Sequence, residues 1–408
     1  MDPSIIRDPE VIFTSLVAFF IALVTALVFS ALFKRFKVPW TIALILGGIV
    51  MGPQGIGLFE LNEIVMFLAE VGIIFLMFIA GMETKISSIK SVWKESAFIG
   101  AISGFAPAMV GIIIGLAFGF SIATSLLLGI IFASSSFAVV IPTLESRGVL
   151  HYKIGRIIIA STMLQDIASL ILLGMFLQFI SPETAVSLPV LIIVMFFALA
   201  LGMLARKYIT PFRQWLAKLR NQKKTDSHSL FEQELTLVVA VLIGTAILFE
   251  FFKLETIVGA FFAGLILAEI TKSKILENKI HILGYGVFIP IFFVTIGGWT
   301  DVGLLVEEAS TIWPLVITIL LGSSLSKFFS GWLSARWLGL TNYKSVLVGI
   351  TSVPQLITTL AVVLVGQSLG LLSPGLVTAI IILSVVTTLT SPLITNYLLR
   401  SKPDSYLK

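Results

Sequence analysis

Charged residues are scarce in this chain of 408 residues: Asp, Glu, Lys and Arg make up 12%, whereas 57% of the residues are hydrophobic. A soluble globular protein has about 25% charged residues, so the composition excludes an ordinary soluble enzyme. Cysteine is absent, which excludes disulfides, thiolate metal sites and cysteine nucleophiles. Three histidines, His151, His228 and His281, are too few and too scattered to predict a metal cluster.

Long apolar runs occupy most of the chain. A helix that spans a bilayer requires about 20 mostly apolar residues, and the sequence predicts an all-α polytopic membrane protein with thirteen such helices. The first run follows an acidic-leaning start rather than the basic start of a signal peptide, which predicts an uncleaved span. The predicted spans lie near 11–33, 40–57, 63–82, 96–118, 122–147, 151–179, 185–206, 232–252, 255–270, 279–300, 311–339, 344–369 and 374–399.

Lys and Arg are distributed unevenly between the two sides of these spans. With the N-terminus outside, 24 of the 27 Lys and Arg residues lie on the cytoplasmic side, Arg7 and Lys253 lie outside, and Lys327 lies within a span. Cytoplasmic loops of membrane proteins carry an excess of positive charge. The distribution therefore predicts a plasma (inner) membrane protein with an external N-terminus and a cytoplasmic C-terminus, and it assigns the net charge of +5 to topology rather than to nucleic-acid binding.

A polar stretch at 207–231 divides the chain into two halves. Six predicted spans precede the bridging span 185–206 and six follow the polar stretch, so the second half enters the membrane from the opposite side. Inverted repeats of this kind are typical of secondary transporters, whose sites lie in mid-membrane on discontinuous helices. The stretch 207–231 is either a regulatory or partner-binding segment or, the interpretation that we favour, an amphipathic linker on the anionic inner leaflet.

Two spans, 122–147 and 344–369, carry hydroxyl groups and a proline at matching places. Intact helices in which Ser and Thr bond to their own preceding turn are the alternative for either span alone. The matched pair instead predicts two crossed, broken helices, since unwound backbone at membrane depth persists only inside protein or beside a water-filled cavity. Each half-helix end carries about half an elementary charge, which hydroxyl groups or a bound cation can offset. The candidate ligands are Ser134, Ser135, Ser136, Thr351 and Ser352.

An acidic residue, Asp166, lies near the centre of the sixth span. On a helix Thr162, Asp166 and Ser169 share one face, whereas the neighbouring Gln165 points about 100° away. A charge in mid-membrane costs several kcal/mol, so we interpret Asp166 as the residue that binds a cation and a proton; a structural ion pair is the alternative. Gln165 and Thr162 are candidate ligands beside it.

The other charged candidates are one lysine and three residues near helix ends. Lys327, in the eleventh span, is expected to face the region of Asp166 across the bundle and to compensate charge there. Glu70 is either a carboxylate in a water-facing vestibule or a charge near a helix end. Glu145 and Arg147 are candidates for a vestibule or gate, or for an ion pair at the cytoplasmic end.

A single buried carboxylate predicts a mechanism of exchange. A proton and a cation compete for the same oxygens, and exchange is obligatory if only the occupied states cross the membrane. Gln165 cannot ionise, so one charge is available and we expect electroneutral one-for-one exchange of Na+ or K+ for H+. Hydroxyl and carboxylate oxygens suit both metal ions, which leaves the choice between Na+ and K+ open.

Several segments resemble the monovalent cation/proton antiporter superfamily, in particular the branch with the NapA-type Na+/H+ antiporters and the Kef potassium efflux systems. These segments are LAEVGIIFLMFIAGMET, ASSSFAVVIPTLESRG, STMLQDIASL, IPIFFVTIGGWTDV and SKFFSGWLSARWLGL. The resemblance covers essentially all spans. It implies a fold with two inverted six-helix repeats and crossed discontinuous helices, with Asp166 as the ion- and proton-binding residue and Lys327 as the core lysine.

The resemblance also implies a homodimer in which a core moves like an elevator against a dimerisation domain. The dimerisation domain would comprise 11–83 and 232–300, the core 96–180 and 311–399, and the segment 185–231 would connect the halves. Electrogenic members of the superfamily have two adjacent acids where this chain has Gln165 and Asp166, a form similar to Kef-type members. Many relatives have a carboxylate after the proline of the second broken span, where this chain has Leu356.

Two other transport functions stay open at the level of sequence. One is a channel-like K+ facilitator, which predicts flux without proton counterflow, and the other is a sodium-coupled organic-anion symporter, which requires a roomier or Arg-lined cavity. No HExxH motif or convincing nucleophile–base pair is present, so we expect neither an enzyme nor a cofactor. The expected partners are Na+ or K+, H+, the lipid bilayer and a second copy of the chain, without nucleic acid.

Overall fold

The structure is a computed structural model that describes residues 9–35, 38–58, 60–83, 91–145, 147–149, 152–180, 227–251, 256–270, 274–301, 303–307 and 309–400. These residues form helices, turns and irregular segments, and none of them lies in a β-strand. The predicted bridging span 185–206 and nearly all of the polar stretch 207–231 lie outside the described residues.

Sixteen α-helices and one π-helical turn at Gly284–Phe288 make up the described part of the chain. The helices are α1 (Pro9–Lys34), α2 (Trp40–Met51), α3 (Glu63–Glu83), α4 (Trp93–Ala117), α5 (Ile122–Ala133), α6 (Phe137–Glu145), α7 (Lys153–Ile180), α8 (Ser227–Phe251), α9 (Thr256–Ile270), α10 (Lys274–Leu283), α11 (Ile289–Gly298), α12 (Leu304–Glu307), α13 (Ala309–Trp337), α14 (Asn342–Ser352), α15 (Ile357–Ser368) and α16 (Pro374–Arg400).

The described helices account for twelve of the thirteen predicted spans. Eight helical segments are long and apolar enough to cross a membrane, and four shorter apolar helices match the spans predicted near 40–57, 122–147, 232–252 and 255–270. The second span is shorter than predicted: α2 ends at Met51, and a turn with three glycines follows it. The prediction of an all-α, multi-pass membrane protein is confirmed.

Two helix–helix connections are built in the same way, 220 residues apart in sequence. Gly119 lies two residues after the end of α4 and Gly339 two residues after the end of α13, both with φ of 76°, a conformation that glycine adopts without strain. In each case the next residue donates its N–H to the carbonyl four positions before the glycine, which closes the helix end. Ser121 and Thr341 then cap α5 and α14 by accepting a backbone N–H three residues later.

This offset of 220 residues extends through both halves. It aligns α4 with α13, the pair α5 and α6 with α14 and α15, and α7 with α16. Matched glycines also bring neighbouring helices together: a Cβ at Gly111 would lie 3.0 Å from the Cα of Gly129, and one at Gly331 would lie 3.1 Å from the Cα of Gly349. Small residues allow such close approach of helices in membranes. The predicted pair of repeats is therefore visible residue by residue.

The chain divides into two compact units. The first comprises Met1–Glu70, Ser87–Leu173 and Pro290–Lys408, and the second comprises Val71–Ile86 and Gly174–Ile289. Within the second unit, α3 and α9 approach so closely that a Cβ at Gly264 would lie 3.0 Å from the backbone nitrogen of Met82. All the residues of the candidate site described below belong to the first unit.

Candidate functional site

Both predicted helix interruptions are present in the first unit. Residues 134–136 separate α5 from α6, and residues 353–356 separate α14 from α15. Pro354 has no N–H to donate, which favours the second interruption. The two segments contact each other directly, since the backbone N–H of Ser136 donates to the carbonyl oxygen of Pro354 at 2.8 Å. The prediction of two broken helices that meet is confirmed.

Asp166, on α7, connects the two interrupted helices. Its Oδ1 accepts the backbone N–H of Ser135 at 3.3 Å and the hydroxyl of Thr358 at 2.9 Å. Ser135 lies two residues before the start of α6, and Thr358 lies in the first turn of α15. The side chain is only 3% exposed. A negative charge at this place is stabilised by the amino-terminal ends of two half-helices.

Lys327, on α13, lies at the opposite end of the first interruption. Its Nζ donates to the carbonyl oxygen of Ala133, the last residue of α5, at 3.3 Å and to Gln165 Oε1 at 3.4 Å. The side chain is fully buried. Because carbonyl groups at a helix C-terminus carry partial negative charge, the ammonium group stabilises this end of α5. Gln165 and Asp166 are adjacent on α7, yet they contact different partners.

The three serines of the first interruption make three different sets of contacts. Ser134 Oγ lies 2.8 Å from Thr359 Oγ1 and donates to the carbonyl oxygen of Ile131. Ser135 Oγ donates to the carbonyl oxygen of Ser352, at the end of α14, at 3.1 Å. Ser136 Oγ is buried and has no hydrogen-bond partner among the described residues. Ser134 and Ser135 therefore contact the second interrupted helix through their side chains, and Ser136 contacts it through its backbone N–H.

Gln355, in the second interruption, also contacts the first. Its Nε2 donates to the carbonyl oxygens of Phe132 and Ser134, both at 3.4 Å, and its backbone N–H donates to Thr387 Oγ1 at 3.3 Å. The side chain is fully buried. The amide group and the ammonium group of Lys327 therefore donate to three consecutive carbonyl oxygens at the end of α5.

Three of the predicted ligands instead hydrogen-bond within their own helices. The hydroxyls of Thr162, Thr351 and Ser352 are buried, and each donates to a backbone carbonyl three or four residues earlier at 2.8–3.1 Å. This is the local pattern in which Ser and Thr satisfy their hydroxyls inside a helix. At Ser352, the carbonyl oxygen rather than the hydroxyl makes the contact across the crossing.

The remaining candidates lie apart from this cluster. Glu70 and Glu145 are exposed, and Arg147 Nε donates to Asn396 Oδ1 on α16 at 2.9 Å. In the described part of the chain no hydrogen bond connects these three side chains to Asp166, and Arg147 contacts Asn396 rather than Glu145.

Thr358, Thr359 and Gln355 contact the site but were not among the residues predicted to form it. The internal repeat carries the signal that identifies one of them, because the offset of 220 residues places Gln355 opposite Ser135. The two threonines fall in the first turn after the second interruption, where a half-helix begins. Neither signal requires knowledge of the tertiary structure.

The site thus contains one carboxylate, one ammonium group and several neutral oxygens where two interrupted helices meet. Within the described ranges no group of three or more His, Asp or Glu residues is placed to hold a resident metal ion. Helices broken in mid-membrane, with their ends directed at a buried charge, are characteristic of secondary transporters. The fold and the site therefore define an ion transporter.

Comparison with known proteins identifies the family. Residues 20–400 match the family described as "Sodium/hydrogen exchanger, transmembrane". The chain is 30% identical over 397 residues to the probable Na(+)/H(+) antiporter 3 of Methanocaldococcus jannaschii, a match that covers 96% of this chain and 98% of the relative. The protein belongs to the sodium/hydrogen exchanger family, which consists of transporters rather than enzymes.

Two further relatives match over nearly their whole length. The Na(+)/H(+) antiporter of Enterococcus hirae is 28% identical over 377 residues, which covers 92% of this chain and 95% of the relative. The Na(+)/H(+)-K(+) antiporter GerN of Bacillus cereus is 26% identical over 371 residues, which covers 90% of this chain and 92% of the relative. These matches confirm the superfamily that the sequence motifs indicated.

A solved structure confirms the fold. The sodium proton antiporter MjNhaP1 from Methanocaldococcus jannaschii, at pH 8, has a TM-score of 0.66 and 16% sequence identity to this chain. The match covers 95% of this chain and 98% of that structure. The antiporter fold is therefore shared over essentially the whole chain.

Proposed function

We propose that this protein exchanges a monovalent cation, Na+ or K+, for H+ across a membrane, and that Asp166 binds the two in turn. The observation that carries the proposal is the position of Asp166, a buried carboxylate that accepts hydrogen bonds from both interrupted helices. Three relatives that are named as Na(+)/H(+) or Na(+)/H(+)-K(+) antiporters support it.

The chemistry follows from the cost of buried charge. An ionised carboxylate in the protein interior is destabilised by several kcal/mol unless it is compensated. A proton and an alkali cation each remove that cost, so the two loaded states of Asp166 cross the membrane whereas the empty, ionised state does not. Both loaded states carry the same net charge, because Lys327 and Gln165 are unchanged between them. The exchange is therefore one-for-one and electroneutral.

Neutral oxygens complete the proposed coordination of the cation. The hydroxyls of Ser134, Ser135 and Ser136 are at the crossing, and Thr358 contacts the carboxylate itself. Gln165, Thr162, Thr351 and Ser352 remain in the proposed set as further oxygen ligands. Oxygen donors of this kind bind Na+ and K+ alike, so the size of the cavity selects between the two ions.

The distribution of charge supports a proposed topology. We place the protein in the plasma membrane with its N-terminus outside, because that orientation puts 24 of the 27 Lys and Arg residues on the cytoplasmic side. As in the superfamily that the sequence resembles, we propose a homodimer in which 11–83 and 232–300 form the fixed part. The segments 96–180 and 311–399 then carry the cation as a core that moves like an elevator.

Reconstituted transport tests the function. Purified protein is placed in vesicles with an entrapped pH-sensitive dye, and Na+, K+ or Li+ is added outside. Wild-type protein is expected to move protons in the direction opposite to the cation. Asp166→Asn is expected to reduce this exchange by at least about a hundredfold, the scale on which loss of an essential proton-transferring group acts.

The control is Glu250→Gln, which removes an exposed acid on α8 and should leave exchange unchanged. Equal exchange by wild type and Asp166→Asn would remove Asp166 from the mechanism. Cation flux without proton movement in the wild type would identify a facilitator instead. Cation-dependent uptake of an organic anion would identify a symporter.

A further inference from the structure

The two interruptions share a pair of equivalent contacts. Ser135 Oγ donates to the carbonyl oxygen of Ser352, and Gln355 Nε2 donates to that of Phe132. The two donors are 220 residues apart in sequence, and so are the two acceptors. Each interrupted helix therefore holds the carboxyl end of the other with the side chain at the same repeat position. The two contacts differ in reach, because a glutamine side chain extends beyond a serine hydroxyl.

The longer side chain gives Gln355 a second acceptor that Ser135 lacks. Its Nε2 also donates to the carbonyl oxygen of Ser134. Two carbonyl oxygens fix the orientation of the amide, because the reversed orientation would direct Oε1 at both of them. Oε1 is buried and accepts no hydrogen bond from any residue that the structure describes. The side-chain hydrogen bonds of Gln355 are thus all donated to the end of α5.

One peptide group connects Gln355 to Asp166. The carbonyl oxygen of Ser134 accepts from Gln355 Nε2, and the N–H of Ser135, in the same planar peptide unit, donates to Asp166 Oδ1 at 3.3 Å. A hydrogen bond accepted by a peptide carbonyl polarises that peptide and strengthens its N–H as a donor, by about 10–30%. The contact also restrains rotation of the peptide, which lies in a non-helical segment.

We propose that Gln355 is a positioning residue for exchange, which acts on Asp166 through the Ser134–Ser135 peptide and favours the cation over the proton at that carboxylate. The inference rests on the proposed function, in which the two ions compete for Asp166. A stronger N–H donor stabilises the ionised carboxylate, which is the form that binds the cation. Loss of the amide therefore makes the proton a stronger competitor without removing the carboxylate.

The test compares wild type with Gln355→Met, which keeps the length of the side chain and removes its donors. The KM for Na+ and for K+ is measured in reconstituted vesicles across a range of pH. We expect KM at acidic pH to rise by up to about fivefold, and the difference to vanish at alkaline pH, where protons no longer compete. The pH of half-maximal exchange should rise by up to about 0.7 unit, which is the same factor expressed as proton concentration.

Gln355→Asn serves as the second variant, since it keeps the amide on a shorter stem and should restore part of the wild-type pH profile. Gln367→Met, the same substitution at the far end of α15, is the matched control and should leave the profile unchanged. Besides Asp166, the ionisable Lys327 on α13 contacts this region, and both residues are the same in all variants.

Four outcomes are distinguishable. A pH profile of Gln355→Met equal to that of wild type overturns the inference, and so does a KM that rises equally at every pH, because a purely structural defect has that signature. If Gln355→Met does not fold, an unshifted profile for Gln355→Asn overturns it. Failure of the wild type to exchange any cation for protons overturns the proposed function before any Gln355 variant is measured.

Discussion

Asp166 and Lys327 are both ionisable and buried, with 3% and 0% of their surfaces exposed, and the charged form of such a group requires compensation inside a protein. The hydrogen-bond partners that the structure gives them are dipoles: a peptide N–H and a hydroxyl for Asp166, a peptide carbonyl and an amide oxygen for Lys327. Dipoles stabilise a charge without neutralising it. Asp166 therefore remains able to take up a proton or a cation, which a close ion pair with Lys327 would oppose.

At this scale Thr358 is the most informative residue to change. Its hydroxyl donates to Asp166 Oδ1 at 2.9 Å and is 4% exposed. A hydrogen bond to a charged group contributes about 1.5–3 kcal/mol. Thr358→Val keeps the shape of the side chain and removes this donor, so we expect cation-driven proton movement at subsaturating cation to fall about tenfold or more.

Thr358→Ser retains the hydroxyl and should retain most of the exchange. Thr390→Val is the matched control, because the Thr390 hydroxyl is exposed and bonds only to the carbonyl of Val386 in its own helix. Wild-type exchange by Thr358→Val would show that the hydroxyl next to the carboxylate plays no part in ion binding.

At the scale of elements, the four half-helices α5, α6, α14 and α15 form the site. Their ends carry partial charges, and the structure compensates the two interruptions differently. The first has Lys327 at the end of α5 and Asp166 at the start of α6. At the second, the end of α14 accepts hydrogen bonds from the hydroxyls of Ser135 and Ser391, and the start of α15 contacts the same Asp166 through Thr358. Under the repeat offset, Asp166 corresponds to Val386 and Lys327 to Pro107. The two halves therefore share the same order of helices and interruptions, but only the first half has Asp166 and only the second half has Lys327 at the corresponding positions.

The hydroxyl contact between Ser134 and Thr359, at 2.8 Å, joins the two interrupted helices and permits a double-mutant cycle. Ser134→Ala and Thr359→Val should each lower the free energy of unfolding by about 1 kcal/mol. The double variant should lose less than the sum of the two, with a coupling of about 0.5–1.5 kcal/mol. Thermal unfolding in detergent measures all four proteins, and strictly additive losses would show that the contact is absent in solution.

At the scale of the whole molecule, the number of ionisable groups that bind ions determines how much net charge crosses the membrane in each transport cycle. In the proposed cycle one carboxylate alternates between a proton and a cation, and the lysine and glutamine beside it are unchanged. The two loaded states would therefore carry the same charge in both directions. A second acid next to Asp166 would alter this balance, but Gln165 occupies that position.

Transport should consequently be insensitive to membrane voltage. Exchange is measured in vesicles while a diffusion potential of either sign is imposed with an ion that the protein does not carry. A cycle that moved one net charge would gain or lose about 2.3 kcal/mol per 100 mV, whereas we expect equal rates and equal end points at both signs. A clear dependence on voltage would contradict the one-carboxylate mechanism.

The membrane spans, the helix interruptions and the buried acid could be predicted from the sequence because each depends on residues that are neighbours along the chain. Apolar runs marked the spans because a bilayer requires them, and Ser134–Ser136 and Pro354 marked the interruptions because hydroxyls and proline weaken a helix locally. Asp166 stood out because a carboxylate in an apolar run is costly. Each of these inferences uses only neighbours along the chain.

The contacts of Asp166 were decided by tertiary structure alone. Thr358 is 192 residues away in sequence, and Gln355 is more than 200 residues from the carbonyl groups that it contacts. Hydroxyl side chains made ligands of Thr162, Thr351 and Ser352 in the sequence-based prediction. In the structure these hydroxyls donate hydrogen bonds within their own helices. Hydropathy and residue type determine which groups are buried, whereas the packing of distant segments determines which of them meet, because a hydrogen bond depends on distances that no local pattern specifies.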